Sequence, residues 1–240
     1  MAKEHVHGVF QSVASQYDAA NDRISLGMHH IWKKALVDAA LASCPADGIG
    51  RVLDVCCGTG DITERIAKGS SQVGAVGLDF SANRLDGAKQ RTAGMDNVML
   101  VEGNAMELPF DDDTFDACVV SFGLRNTPDY EQVVGEMARV TRPGGLVACL
   151  DASVPDSDLI EPFWKVYYKE CMPVLGGGFS KRHEYEWLYQ STMEFLRKDE
   201  LIALFRRCGL VGVNCQPFMM GSAALHTGMV PVAPRAGARA

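Results

Sequence analysis

Gly58 and Gly60 stand in the stretch LDVCCGTGD, residues 53–61, directly after an apolar run. A Gly-x-Gly turn at a strand end lets backbone approach a ligand closely. In an open parallel sheet that is also where ligands sit. Three chemistries fit such a turn: dinucleotide phosphates, a nucleoside without phosphates, or a metal or redox function of Cys56 and Cys57. The dinucleotide fingerprint needs a glycine three residues beyond the second, and position 63 is Thr. Asp54, four residues before Gly58, would repel a pyrophosphate and suits a cationic ligand. Asp79, closing the next apolar run, is placed to accept hydrogen bonds from ribose hydroxyls. The cysteines, eight in all, show no Cys-x-x-Cys spacing, so we read them as space-filling and expect no metal.

These residues must be held by a repeating frame. RVLDV, GAVGLDF, NVMLVEG, FDACVVSFGL and GLVACLDA read as buried strands, separated by the helical patterns DITERIAKG, SANRLDGAKQR and EQVVGEMARV. Strands alternating with helices mean a parallel sheet covered on both faces. We expect Gly69 to cap the first of these helices, Ser81 to cap the second, and Pro143 with its glycines to stop the third. Residues 8–43 carry two further helical patterns. Residues 156–195 are aromatic-rich without a clear strand and read as a helical cap. RKDELIALFRRCG is an amphipathic helix, and VGVNCQP and SAALHTG are two strands close enough to pair antiparallel. Cys118, Cys149 and Cys215 lie in apolar runs and are expected to be buried. The expected domain is 1–228: N-terminal helices at 8–43, a cofactor half at 51–151, the cap at 156–195, and a helix with a strand pair at 197–228. The tail 229–240 is expected to be disordered.

Composition narrows the partners. A net charge of −7 argues against nucleic acid, because phosphate binding needs a basic patch. Lys33-Lys34, Lys181-Arg182 and Arg206-Arg207 occur as pairs and read mostly as solvated helix faces. No apolar run reaches eighteen residues and no signal-type segment opens the chain, so a cytoplasmic location is expected.

Asp54, Gly58, Gly60 and Asp79 together resemble the S-adenosylmethionine site of class I methyltransferases. The implied fold is α/β: a Rossmann-like, doubly wound seven-stranded sheet with its last strand antiparallel. Other blocks narrow the resemblance: FQSVASQYDAANDRISLGMHHIWKK (10–34), GNAMELPFDDDTFD, FGLRN (122–126) and Tyr-x-Trp-Leu at 185–188. Together with LDVCCGTGDIT they resemble the demethylmenaquinone/ubiquinone C-methyltransferases from about residue 8 to 228. That family usually has glycine or alanine at positions 56 and 57. It has Glu-Phe-Ser where this chain has Asp151-Ala152-Ser153, and a basic residue at His30.

The resemblance implies S-adenosylmethionine bound through Tyr17, Asp54, Gly58, Thr59, Gly60, Asp79, Asn104, Ala105 and Ser121, with Asn104 and Ala105 on the adenine. It implies methyl transfer to a ring carbon of a prenylated, lipid-soluble hydroquinone, with demethylmenaquinol converted to menaquinol as the expected reaction. Catalytic candidates are Arg125, holding a developing phenolate, and Asp18 and His226 as proton acceptors. The competing readings are an ion pair, a helix cap and a packing histidine. Tyr167, Tyr185 and Trp187 are the substrate-side candidates, with Phe163, Trp164, Tyr168 and Phe179 beside them. Such a substrate fits a peripheral contact with the inner face of the membrane, and an exposed aromatic cap fits a homodimer face equally. A ubiquinone-branch benzoquinol, another small apolar acceptor, a nicotinamide oxidoreductase and a binding protein without activity remain the alternative functions.

Overall fold

The run GRVLDV forms β1, Gly50–Val55, buried at every position from Val52 onward, as a parallel strand covered on both faces requires. A computed structural model describes residues 22, 24, 25, 27–176 and 182–232. The first helical pattern as a whole, Tyr17, Asp18, Asn21, Phe179 and 233–240 lie outside these residues.

The other strands are β2 (Val73–Asp79), β3 (Val98–Glu102), β4 (Phe115–Ser121), β5 (Thr141–Ala152), β6 (Val211–Phe218) and β7 (Ala223–Met229). Their order is β3-β2-β1-β4-β5-β7-β6. β1 runs parallel to β2 and β4, whereas β7 is antiparallel to both β5 and β6. The order reverses between β1 and β4, and the glycine turn leaves β1 at that point.

Alternate residues of the strands serve two cores. On one face, α1 (His29–Ala42) and α2 (Asp61–Gly69) bring Trp32, Leu36, Ala40, Ile62 and Ile66 onto Val52, Ala117 and Val119. On the other, α4 (Tyr130–Val140) and α8 (Lys198–Arg207) bring Val134, Met137, Leu201 and Phe205 onto Leu53, Cys118 and Val120. The helix α3 (Ala82–Arg91) follows β2. The cap is helical, as expected: α5 (Glu161–Val166), a π-turn (Tyr167–Cys171), α6 (Met172–Gly176) and α7 (Arg182–Glu194). Trp164, Tyr168, Met172 and Tyr185 form its own small core with Ile24 and Val154. No described helix is long and apolar enough to cross a membrane.

Several local expectations are corrected. Gly69 does not cap α2; it is its last helical residue, and Ser70 follows in extended backbone. A Cβ on Gly69 would come 2.5 Å from Leu41 Cδ1, so the glycine serves close packing of α2 on α1. Ser81 occupies the N-cap of α3 without a side-chain cap; its N–H donates to Asp79 Oδ1 at 3.0 Å. Pro143 stops no helix: α4 ends at Val140 and β5 begins at Thr141. The cap of α4 is Asp129, whose carboxylate accepts from Gln132 N. Cys118 and Cys149 are fully buried, but Cys215 is half-buried on edge strand β6. Ordered pairing passes residue 228: β7 runs to Met229, and Val230 exchanges backbone hydrogen bonds with Gly144 and Gly145.

Candidate cofactor and substrate site

The turn after β1 is built from left-handed backbone: φ is +57° at Cys56, +58° at Gly58 and +79° at Gly60. At Gly60 a Cβ would also lie 3.0 Å from the Cβ of Ala88, so both conformation and space require glycine. At Gly58 a Cβ would meet no atom of the described residues within 4 Å. The turn therefore presents bare backbone to a cavity of about 790 Å³.

Asp79, at the end of β2, is fixed by two backbone donors: Gly58 N to Oδ2 at 2.9 Å and Ser81 N to Oδ1 at 3.0 Å. Arg84 stands 3.8 Å from the same carboxylate. A carboxylate has about four acceptor positions, so lone pairs remain for a diol. Asp54 is 1% exposed and accepts the Thr63 hydroxyl at 2.6 Å. Burial pushes its carboxyl up to about 7; the Thr63 hydroxyl and N–H oppose this, and Asp61 and Asp79 add to it. The expected open charge at the turn is thus a shielded carboxyl poised near neutrality, still on the cavity wall.

Thr59, Asn104, Ala105 and Ser121 line the same cavity. Asn104 shapes the loop after β3: its Oδ1 accepts from Met106 N at 3.0 Å, and Ala105 is buried behind it. Ser121 Oγ, at the end of β4, is buried without a hydrogen-bond partner among the described residues. Asn126 Oδ1, Trp32 Nε1 and Trp187 Nε1 share that condition and line the same space. Buried polar groups of this kind await a partner.

Arg125, in a 3-10 turn after β4, is buried and also lines the cavity. Its Nη1 contacts Asp151 Oδ1 at 2.5 Å and the Phe122 carbonyl at 2.9 Å, and its backbone N–H donates to Asp151 Oδ2 at 3.3 Å. The ion pair considered from the sequence is therefore real, and it lies in the cavity wall. Trp164, Tyr167, Tyr168, Tyr185 and Trp187 roof the space, with Phe163, 73% exposed, at its edge. The Tyr167 hydroxyl donates to the Ile24 carbonyl at 2.6 Å, joining the cap to the N-terminal segment. Burial pushes the Tyr168 phenol up to about 12.

His226 is not brought to the cavity, and the general-base expectation for it fails on position. It is 2% exposed under α8, and its Nε2 donates to the Lys198 carbonyl at 3.2 Å. Burial pulls its pKa down to about 4, so it is a neutral packing histidine. The vicinal cysteines are also quiet. Burial pushes Cys56 up to about 12 and Cys57 well above its ordinary value, and all eight cysteines are free. Ligand atoms of Asp22, His29 and His30 gather within 4.8 Å. Each is already engaged, His30 with Asp22 at 2.9 Å and His29 with Ser25 at 2.8 Å.

Two cavity residues escaped the sequence reading. Lys33 looked like half of a solvated pair, and His29 like part of an ordinary amphipathic helix. Residues 29, 33, 36, 37 and 40 share the buried face of α1, so the helical period carries the signal.

A family model described as the ubiE/COQ5 methyltransferase family matches residues 1–230. The chain belongs to the ubiE/COQ5 methyltransferase family. It is 44% identical over 229 residues to a demethylmenaquinone methyltransferase of Staphylococcus aureus, spanning 94% of this chain and 93% of that protein. Among solved structures, a SAM-dependent methyltransferase of Thermotoga maritima, described as a possible histamine N-methyltransferase, aligns with a TM-score of 0.63 at 17% identity. It covers 93% of this chain and 99% of its own. Haemonchus contortus phosphoethanolamine N-methyltransferase 2, in complex with S-adenosyl-L-methionine, aligns at 0.60 and 15%, covering 83% and 52% respectively. These likenesses establish the class I methyltransferase fold, and family membership makes the chain a methyltransferase.

Proposed function

We propose that the chain transfers a methyl group from S-adenosylmethionine to a ring carbon of demethylmenaquinol. The observation that carries this is one continuous cavity with two unlike ends. One is the glycine turn with Asp54, Asp79, Asn104 and Ser121; the other is the aromatic roof of the cap. The kinship with a demethylmenaquinone methyltransferase supports the naphthoquinol over other apolar acceptors.

The residues present fit the cofactor: two glycines leave room for it, Asp79 keeps lone pairs for the ribose, and Ser121 Oγ lacks a partner among the described residues. Thr59, Asn104 and Ala105 complete the nucleoside end. When bound, S-adenosylmethionine supplies an electrophilic methyl on a sulfonium. Arg125, aimed by Asp151 and the Phe122 carbonyl, stabilises the phenolate that makes the ring carbon nucleophilic. Tyr17 remains our candidate for a further cofactor contact and Asp18 for the proton acceptor. Tyr167, Tyr185 and Trp187 hold the ring and exclude water.

The isoprenoid tail leaves past Phe163. Leu159, Phe163, Val166 and Val174 are exposed on the cap, and they suit a peripheral contact with the membrane that dissolves the substrate. Thermal stabilisation by S-adenosylhomocysteine but not by NAD tests the cofactor half. Equal shifts, or none, would overturn it.

A further inference from the structure

Lys33 is 6% exposed, on the buried face of α1, and it lines the cavity. A buried ammonium is costly unless its charge is matched and its three N–H donors are used. Its one ion-pair partner among the described residues is Asp61 Oδ2, at 2.7 Å. Asp61 does not depend on Lys33 alone. Arg65 Nε donates to its other oxygen at 2.8 Å, and Arg91 stands 3.7 Å away. Arg91 is shared with Glu64 at 3.6 Å, so Lys33 and Arg65 are the close cations on Asp61, and Lys33 is the one that faces the cavity.

The position along the cavity says what the surplus charge is for. The glycine turn lies between two carboxylates: Gly58 N holds Asp79, and Gly60 is followed directly by Asp61. A nucleoside whose ribose sits on Asp79 must extend across the turn, and beyond the turn lies α1. At that far end the wall carries Lys33. His29 and Trp32 on α1 and Asp61 and Ile62 on α2 also line the cavity. Asp61 is the ion-pair partner of Lys33 among the described residues, so a ligand carboxylate placed there meets a cation already held in position.

We propose that Lys33 binds the α-carboxylate of the methyl donor's amino-acid end, the Asp61 carboxylate holding the ammonium in place. This rests on the cavity being the S-adenosylmethionine site. Lys33 thus distinguishes amino-acid-bearing nucleosides from those that lack the carboxylate. A salt bridge of this type is charge-assisted and shielded from solvent, so its loss is worth about tenfold to a hundredfold in affinity.

The test is calorimetric titration of the full chain with three probes: S-adenosylhomocysteine, its decarboxylated analogue, and 5′-methylthioadenosine. The wild type is expected to prefer S-adenosylhomocysteine over the decarboxylated analogue by about tenfold or more. In Lys33→Met that preference disappears, while 5′-methylthioadenosine binds within about threefold of wild type. Should Lys33→Met fail to fold, Lys33→Gln keeps a donor toward Asp61 and is expected to lose the same preference. A wild type indifferent to the carboxylate, or a variant that keeps the preference, overturns the assignment. A wild type that binds none of the three overturns the cofactor reading itself.

Discussion

The Thr63 hydroxyl donates to Asp54 Oδ2 at 2.6 Å, and both side chains are buried. The residue that stands in place of a third glycine is thus the partner of the acid that opens the turn. This pair joins β1 to α2 beneath the ligand site. Thr63→Val leaves Asp54 without its hydroxyl donor and should destabilise the protein by about 1–3 kcal/mol. Urea denaturation measures this; an unchanged midpoint would mean that the hydrogen bond contributes nothing.

Asp54 also sets a pH dependence. Its folded pKa of about 7 lies above the ordinary 3.8. Between these values the folded state holds a proton that the unfolded chain has released. Stability of the cofactor-free protein therefore falls as pH rises from about 4 to about 7 and is flat above, with a few kcal/mol as the upper bound. Asp54→Asn removes the proton linkage, so the difference in unfolding free energy between the two proteins should vary over that window. A constant difference would place the Asp54 pKa near its ordinary value.

Asp61 acts with the opposite sign. Burial raises its pKa, but Lys33 and Arg65 prevail and hold it at about 2. Its contribution is present above the ordinary 3.8 and is lost as pH falls towards 2. That amounts to about 2 kcal/mol, from the linkage of one group. Acid unfolding of Asp61→Asn should be correspondingly less steep below pH 4. An acid limb identical to wild type would contradict the pairing.

Arg125 and Asp151 separate structure from chemistry. Arg125→Met leaves Asp151 buried and unpaired, costing about 3–5 kcal/mol, and should also lower turnover by about a hundredfold or more. Adding Asp151→Leu should recover most of the stability, but not the turnover. Affinity for S-adenosylhomocysteine should stay within about threefold throughout. A double variant that regains turnover would reduce the pair to a structural role.

The thiols give a simple check. With Cys56 held at about 12 and Cys57 well above its ordinary value, neither should react with iodoacetamide in the native protein at mildly alkaline pH. Exposed Cys171 should react first. Mass mapping of the labelled protein reads the order, and early labelling of Cys56 would contradict it.

The frame and the glycine turn were legible because they are written locally. Apolar runs mark buried strands, Gly58 and Gly60 mark a left-handed turn, and Asp79 closes a strand beside it. Tertiary facts were not. Gly69 looks like a cap in one dimension and is a packing residue against Leu41 in three. Lys33 and Lys34 look alike in sequence, yet the helical period buries one and exposes the other. His226 sits in the strand SAALHTG, but its ring is turned towards α8. Arg125 could be read as an ion pair or as a catalytic group; the fold shows the ion pair and sets it in the cavity wall.

The most direct measurement offers the purified protein methyl-labelled S-adenosylmethionine with reduced demethylmenaquinone, and in parallel with a reduced demethylated benzoquinone. Label is expected in menaquinol, on a ring carbon, with little or none in the benzoquinol. Equal labelling of both acceptors, label on oxygen, or no labelling of the naphthoquinol would contradict the proposed reaction.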